Sequence, residues 1–333
     1  MNHKQTILVV LLVVQMALLI ILEGPFSSAA ATAGTVQPFL PGLEDLVAAR
    51  VAIESGDGET VSLSRQGDAW TLDDMGGFPV DGGKVNTMIQ DLSRLKVRRP
   101  VVTSSRFHDQ LMVGDSKYER RIRIWGDAQG DPAIDFLVGA SPNYRVSDVR
   151  RDGEDDVYEV MGLSSWDLQS DVGSWIDKKL VNVPPEEITG LKVMNGHGTF
   201  ALKKEDGAWT VLNNSASGDL DQGAVDSLVR AYASLYLADP VGQLDVLAQG
   251  LDNPAAEIQL IRSAKQPPEA GEESVAAPEV TTLQVGKEMD AESGKRYATV
   301  SGFGFAVTLN RFDAERATEK KLADLVVDVS QEE

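Results

Sequence analysis

One stretch of sequence recurs in the second half of the chain, at a spacing of about 140 positions. Trp70 and Trp209 stand at the same place in the two stretches, each flanked by short runs of alternating apolar residues. The matching pairs continue in the same order: Asp81 and Asp221, Val85 and Val225, Leu92 and Tyr232, Leu95 and Leu235, Pro100 and Pro240, Leu111 and Leu251, Val138 and Val285, Leu180 and Leu322. This collinear series predicts two tandem copies of one structural unit, repeat one at residues 48–187 and repeat two at residues 188–325.

Each repeat has the pattern of antiparallel strands around one long helix. Alternating apolar residues predict short strands with one buried face, joined by tight turns at Gly67-Asp68 and Asp206-Gly207. Asp81 and Asp221 are expected to cap the N-termini of helices, because apolar residues recur behind each at spacings of three and four. The predicted fold class is therefore α+β: two tandem copies of an antiparallel-sheet-plus-helix unit.

The rest of each repeat gives coarser expectations. Further strands are predicted near 119–125, 133–139, 143–148 and 156–161, with counterparts near 255–262, 280–286, 296–300 and 303–309. A short helix is expected to close each repeat, near 164–178 and near 311–323. Residues 263–280 are rich in Pro, Glu and Ala and are predicted to form a mobile surface loop, with partner docking as a second role.

The N-terminus predicts a single transmembrane helix at residues 1–22. An apolar run from Thr6 to Leu22 is broken only by Gln15, and the next basic residue after Lys4 is Arg50. The positive-inside rule then puts the N-terminus in the cytoplasm and the bulk of the chain outside it. Residues 23–47 are expected to be a flexible spacer and residues 326–333 an acidic tail.

A cleaved signal peptide is the competing interpretation of the same run. Ala29-Ala30-Ala31 and Ala31-Thr32-Ala33 could serve as cleavage sites. The run is longer than a typical signal-peptide core, and these small residues lie several positions beyond it, so a retained anchor is favoured. Both interpretations predict export.

Composition excludes several classes of protein. The 333 residues carry a formal net charge of −20, which disfavours binding to nucleic acids. The chain contains no cysteine, so disulfides, thiolate nucleophiles and a lipidated N-terminal cysteine are excluded. The N-terminal helix is thus the expected membrane anchor.

The search for chemistry predicts no catalytic, cofactor-binding or metal-ligating residue. His108 and His197 have no partner histidine at metal-ligand spacing, and no phosphate-binding or dinucleotide-binding motif occurs. The acidic run Asp152 to Asp156 is expected to be a solvated turn, with weak calcium binding as the alternative. Trp125, Trp166 and Trp175 are expected to pack in the core, with a glycan-binding face as the alternative.

The repeated motifs resemble a bacterial family of unknown role, domain-of-unknown-function family 4340. The resemblance rests on Leu63-Ser64-Arg65 through Trp70, Phe78-Pro79-Val80-Asp81, and Trp209 with its flanking strands. It also rests on Gly250-Leu251-Asp252-Asn253-Pro254, for which the first half has Gln110-Leu111-Met112-Val113-Gly114 without the proline. It spans about residues 48–325 and implies an extracytoplasmic, membrane-anchored companion of ABC-type transport systems, including gliding-motility-type systems.

Three functions remain open at this point. The first is a non-catalytic accessory subunit in the bacterial inner membrane, with its bulk in the periplasm and an ABC-type permease as partner. The second is a periplasmic module that binds a glycan or cell-wall polymer. The third is an envelope hydrolase. The residues expected to matter are those of the repeat motif, Trp70, Asp81, Leu95, Trp209, Asp221 and Leu235, and no small-molecule substrate is indicated.

Overall fold

The computed structural model describes residues 35–127, 129–141, 143, 145–212, 219–263 and 278–327. The predicted anchor at 1–22 lies outside these residues, as do most of the predicted loop at 263–280 and residues 328–333 of the predicted tail. Within the described part of the chain, no helix has the length and apolar character needed to span a membrane.

Three α-helices occur in the described residues: α1 at Gly82–Ser93, α2 at Gln222–Ala233 and α3 at Arg311–Glu319. The first two begin directly after Asp81 and Asp221, where the sequence predicts caps. Both also bury the apolar stripe that the sequence predicts, with Val85 and Val225 fully buried. These two helices are therefore confirmed.

The strands fall where alternation of apolar residues predicts them. The first half contains β1 (Gln37–Pro38), β2 (Arg50–Ser55), β3 (Thr60–Gln66), β4 (Ala69–Leu72), β5 (Phe78–Pro79), β6 (Lys96–Val97), β7 (Val113–Gly114), β8 (Lys117–Tyr118), β9 (Arg120–Trp125), β10 (Ile134–Val138), β11 (Val146–Arg151) and β12 (Val157–Met161). The second half contains β13 (Lys179–Asn182), β14 (Ile188–Asn195), β15 (Gly198–Glu205), β16 (Ala208–Val211), β17 (Ser234–Tyr236), β18 (Pro240–Gln243), β19 (Ala256–Arg262), β20 (Glu279–Glu288), β21 (Arg296–Val300) and β22 (Phe305–Leu309). All pairings given for them are antiparallel, so the α+β class is confirmed.

Two eight-stranded sheets share most of their strand order. The first has the order β12-β11-β10-β9-β2-β3-β4-β5, and the second, read from its other edge, has β18-β22-β21-β20-β19-β14-β15-β16. Strands β12 to β4 of the first sheet thus correspond one by one to β22 to β16 of the second. The tight turns also correspond: Gly67 has φ 63°, and Asp206 and Gly207 have φ 49° and 85°.

A short lead-in strand precedes each of these sheets in the chain and pairs with the segment after the helix. Strand β1 pairs with β6 after α1, and β13 pairs with β17 after α2. Phe39, directly after β1, is fully buried, and its N–H donates to the carbonyl of Leu95 at 2.8 Å. The structured chain therefore begins before residue 48, and the flexible spacer predicted up to residue 47 is corrected at this end, because burial of Phe39 and Leu43 fixes the segment.

The predicted closing helix near 164–178 is wrong, whereas its counterpart near 311–323 contains α3. In the first half two separate 3₁₀ turns occur, Ser165–Asp167 and Val172–Ser174. The side chain of Asp171 accepts the N–H of Ser174 at 2.9 Å and so closes a single turn. Ser, Asp and Gly favour such local turns over helix interiors.

The described chain divides into two compact units. Unit 1 takes in the residues up to 47, 53–59 and 86–169, and unit 2 takes in 48–52, 60–85 and the residues from 170 onward. In unit 1 the ring of Phe39 packs edge-on against Phe136 at 5.6 Å between centroids. In unit 2 Phe78, Phe303 and Phe305 form a cluster with centroids 5.2–5.7 Å apart. The proposed limits of the repeats, 48–187 and 188–325, remain a prediction about sequence duplication.

Candidate functional site

Four of the six repeat-motif residues are core side chains. Trp70, Leu95, Trp209 and Leu235 are all buried. Each lies beside the long helix of its half, on the strand before it or on the segment after it. In both halves these side chains are therefore part of the hydrophobic core, next in sequence to the long helix.

The two remaining motif residues cap helices. The Asp81 carboxylate accepts the N–H of Gly83 at 3.0 Å, and the Asp221 carboxylate accepts the N–H of Ala224 at 3.0 Å. Each bond satisfies a backbone donor that has no partner inside the helix, and each negative charge lies at the positive end of the helix dipole. Asp81 and Asp221 thus fix where α1 and α2 begin.

Trp209 contacts Lys204 and Asp226, two residues that line a polar cleft. The Gln222 side chain accepts the Trp209 N–H at 2.7 Å and donates to the Trp209 carbonyl at 3.0 Å. The indole Nε1 donates to Asp226 at 2.8 Å, and the ammonium of Lys204 lies 5.3 Å from the ring centroid. Trp209 is therefore fixed both through its backbone, by Gln222, and through its indole N–H, by Asp226.

The cleft beside Trp209 has a volume of about 310 Å³. Its lining residues are Pro185, Glu186, Lys204, Asp226, Val229 and Arg230. Lys204 and Arg230 each form an ion pair with Asp226, at 3.7 Å and 3.9 Å. Two cations thus face two carboxylates, and the cleft carries no net formal charge.

A larger cleft, of about 570 Å³, lies in unit 1 beside the acidic run. The guanidinium of Arg121 contacts the carboxylates of Asp135 at 2.8 Å and Asp152 at 3.1 Å. Arg151 donates to the carbonyl of Phe39 at 2.6 Å and to Glu154 at 2.9 Å. Three of the carboxylates that line this cleft are thus already paired with arginines of the sheet.

The acidic run forms the strand-connecting turn that the sequence predicts. It joins β11 to β12, and Gly153 adopts a φ of 75° within it. Among the residues that the structure describes, no group of three or more His, Cys, Asp or Glu side chains could hold a metal ion. Calcium binding at this turn gains no support from the geometry.

Each of the two described histidines has a hydrogen-bond partner of its own. His108 is buried, and its Nε2 lies 2.9 Å from the carbonyl oxygen of Asp155. His197 lies in the exposed turn predicted for it, with Nε2 at 2.8 Å from Glu319. In both cases the imidazole ties a loop or turn to a neighbouring segment.

The three tryptophans considered for glycan binding differ in exposure. Trp125 and Trp175 are buried, as expected for core side chains. Trp166 is 79% exposed and follows the end of β12. A face built from all three indoles is therefore not formed, and Trp166 is the one of the three that offers its ring to solvent.

The corner that follows β6 in unit 1, residues 100–118, packs closely. Val102, Leu111 and Tyr118 cover a buried cluster of Val113, Leu137 and Val157. Strands β7 and β8 form the hairpin that brings Val113 and Tyr118 to this place. We call residues 100–118 the first corner; four of its apolar side chains belong to this small core, while Val101 is 53% exposed.

The corresponding segment in unit 2, residues 240–254, forms the second corner and exposes apolar side chains. Leu244, Val246 and Leu247 are 38%, 44% and 74% exposed, and we call these three the corner patch. The turn that carries them is well bonded: Asp245 accepts the N–H of Ala248 at 2.9 Å, and the Leu251 N–H donates to the carbonyl of Val246 at 2.7 Å. No motif or repeat pair predicts this patch, although three apolar residues within four positions of a turn-rich segment are a usable signal.

A charged clamp holds the start of the second corner. Lys295 donates to the Asp239 carboxylate at 2.7 Å, and Thr308 donates to it at 3.0 Å. The hydrogen bond from Lys295, more than that from Thr308, holds the pKa of Asp239 below its ordinary range. The clamp therefore anchors the corner at neutral pH.

One glycine in each half allows the backbone of the corner to pass close to a strand of the sheet. A Cβ on Gly139 would lie well under 3.0 Å from the carbonyl oxygen of Leu111, and a Cβ on Gly286 equally close to that of Gln249. The pairs Val138-Gly139 and Val285-Gly286 match in sequence, so the same close approach of the backbone explains both glycines.

The fold and these sites define an antiparallel α+β protein in which the first corner covers a small apolar core and the second carries the exposed corner patch. The family model described as "Domain of unknown function (DUF4340)" matches residues 70–243, which is more than half of the chain. The chain belongs to this family. No curated protein and no solved structure matches it.

Proposed function

We propose that the protein is a non-catalytic accessory subunit, anchored in the inner membrane with its bulk outside the cytoplasm, of an ABC-type transport or gliding-type envelope complex. The observation that carries the proposal is the shared order of seven strands in the two sheets. A duplicated sheet doubles the surface available to partners, and repeat proteins commonly use such surfaces for binding.

Duplication itself is part of the proposal. It is supported by the collinear sequence pairs, by the lead-in strands β1 and β13, and by Gly139 and Gly286 at the same crossing. Duplication also accounts for two helices with aspartate caps, at Asp81 and Asp221. The two halves are then free to diverge at their corners while the sheets stay alike.

A scaffold role agrees with the use of ionisable side chains. Glu54 accepts the hydroxyl of Tyr118 at 2.6 Å and the guanidinium of Arg123 at 2.7 Å. Burial, and then the bond to Glu54, raises the pKa of Tyr118. Arg121 and Arg151 are tied to carboxylates in the same way. These groups stabilise the sheet of unit 1.

The location in this proposal rests on the apolar run from Thr6 to Leu22, and the partner class rests on the family resemblance. Fusions of a reporter enzyme that is active only outside the cytoplasm test the location. A fusion after residue 327 should be active, and the same fusion on a chain that lacks residues 1–22 should be inactive. Activity of the truncated fusion would contradict the proposed export.

The accessory role is tested by gentle cross-linking of the full chain in its own membranes, followed by purification. A permease-type membrane protein should co-purify with the native chain. Replacing residues 1–22 by a cleavable signal should lower its recovery by on the order of tenfold, because tethering supplies a high effective concentration. A native chain that runs alone after cross-linking would contradict the accessory role.

Glycan binding is the second candidate, favoured by the exposed ring of Trp166. Titration with soluble cell-wall polysaccharide should then change the tryptophan fluorescence, and Trp166→Ala should abolish the change. Met161→Ala is a matched control, because Met161 is also 79% exposed. A flat titration of the native chain across envelope glycans removes this candidate.

A further inference from the structure

The corner patch is a built surface with apolar side chains turned to solvent. Leu244, Val246 and Leu247 occupy a turn whose backbone is fixed by the bonds of Asp245 and Leu251 described above. Lys287 on β20 adds a further tie, because its N–H donates to the carbonyl of Gln249 at 3.0 Å. The patch is thus presented by a fixed backbone, which lowers the entropy lost when a partner binds.

The first corner shows that this fold can bury such side chains. There Leu111 and Val102 pack against Val113 and Leu137 under the β7–β8 hairpin. In the second corner the three patch residues stay exposed, at a cost of about 25 cal/mol for each Å² of apolar surface left in water. Covering them with a partner would recover that energy, since fixed, exposed apolar clusters are typical of binding sites.

The charges around the patch indicate the charge of the surface that can bind there. Asp245 lies within the turn, and Asp252, whose N–H donates to the carbonyl of Val246 at 3.2 Å, lies beside it. Both aspartates are exposed, so two carboxylates flank the patch within the turn itself. These carboxylates repel an anionic bilayer surface. They also disfavour a second copy of the chain, because each copy carries a net charge of −20.

We propose that the corner patch docks a partner protein that presents apolar side chains bordered by Lys or Arg. The apolar centre supplies affinity, and the carboxylates of Asp245 and Asp252 select the basic border. This inference rests on the proposed accessory role and names the surface and the partner chemistry for it.

The test places a photoreactive benzophenone amino acid at position 247 of the full chain in its own membranes. The same residue at position 161 is the control, since Met161 is exposed to a similar degree. Irradiation should give one protein adduct from position 247, about tenfold above the control. The cross-linked partner peptide should carry apolar residues next to Lys or Arg.

Two variants then ask whether the proposed chemistry is responsible. Asp252→Lys should lower the adduct from position 247 about tenfold. Val246→Ser combined with Leu247→Ser should lower co-purification of the partner from cross-linked membranes by a similar factor. Urea unfolding of each variant confirms that the fold is kept, because these side chains are exposed and small changes in stability are expected.

Four outcomes overturn the inference: an adduct with lipid, an adduct of twice the chain's own mass, equal labelling from positions 161 and 247, or an adduct that ignores the charge reversal. If the native chain still co-purifies with a membrane protein while the Val246→Ser, Leu247→Ser variant does so equally well, the docking surface lies elsewhere and the accessory role stands. If the native chain captures no membrane protein, the accessory role itself fails.

Discussion

The first and second corners follow corresponding segments of the two halves, and they differ in how they bury apolar side chains. In the first corner, a hairpin of β7 and β8 covers Leu137 on β10. In the second, the corresponding strand β20 carries Gln284, which is half-buried and donates to Glu257 at 3.2 Å. The first corner thus adds a small apolar core, whereas the second buries Leu251 but leaves the corner patch in solvent.

A second pair of positions repeats the contrast. Arg150 on β11 is buried, donates to the carbonyl of Val113 at 2.7 Å and pairs with the carboxylate of Asp115. The corresponding residue on β21 is Thr299, whose hydroxyl donates to the carbonyl of Phe305 at 2.9 Å. Arg150 ties the hairpin to the sheet, and Thr299 ties its own strand to the next. The two halves therefore diverge at their corners as well as in the segments that close them.

The largest expected difference in the free energy of unfolding is between alanine substitutions of Leu137 and Gln284. Leu137→Ala removes a fully buried side chain from the first corner and should lower the free energy of unfolding by about 3 kcal/mol. Gln284→Ala, at the corresponding place, should change it by less than about 0.5 kcal/mol. Urea unfolding of the full chain measures both. Equal losses would mean that the two corners bury their sheet faces to the same degree.

The next effect should be shared by both halves. Gly139→Ala and Gly286→Ala each force a Cβ against a backbone carbonyl and should destabilise the fold by about 2 kcal/mol. Gly196→Ala, in a turn with open space around the Cβ position, is the control and should be close to neutral. A loss at only one of the paired glycines would contradict a common crossing in the two halves.

Much of this architecture could be predicted from periodicity. The helices after Asp81 and Asp221 and the long strands follow because spacings of 3.6 and 2 residues leave a clear mark in the sequence. Strand β1 could not be found in this way, because two residues carry no period and its partner, β6, is distant in sequence. The same holds for burial of Phe39, which depends on Phe136 and Arg151 far along the chain.

The apolar residues of the corner patch are visible in the sequence, but their exposure could not be predicted for a similar reason. Leu111 and Leu247 are both leucines in loops, and their local sequences do not say which of them will be covered. Leu111 is partly covered because it packs against Val113 of the β7–β8 hairpin, whereas the second corner leaves Leu247 in water. Motif residues such as Trp209 were easier to find, because a large aromatic residue beside a turn is a typical core position.

The smallest effect concerns the clamp of the second corner, where Asp239 stands at the place held by Arg99 in the first. Asp239→Asn removes the charge that pairs with Lys295, and should lower the free energy of unfolding at pH 7 by less than about 1 kcal/mol, because the pair is partly exposed and screened. The pKa of Asp239 is lowered in the folded state, so its contribution is present above the unfolded pKa and is lost as the pH falls through the folded pKa. The difference between the native chain and the variant should therefore vanish in acid. Lys295→Met should show the same pH profile, and a difference that persists in acid after the Asp239 carboxylate is protonated would assign the effect to packing instead of charge.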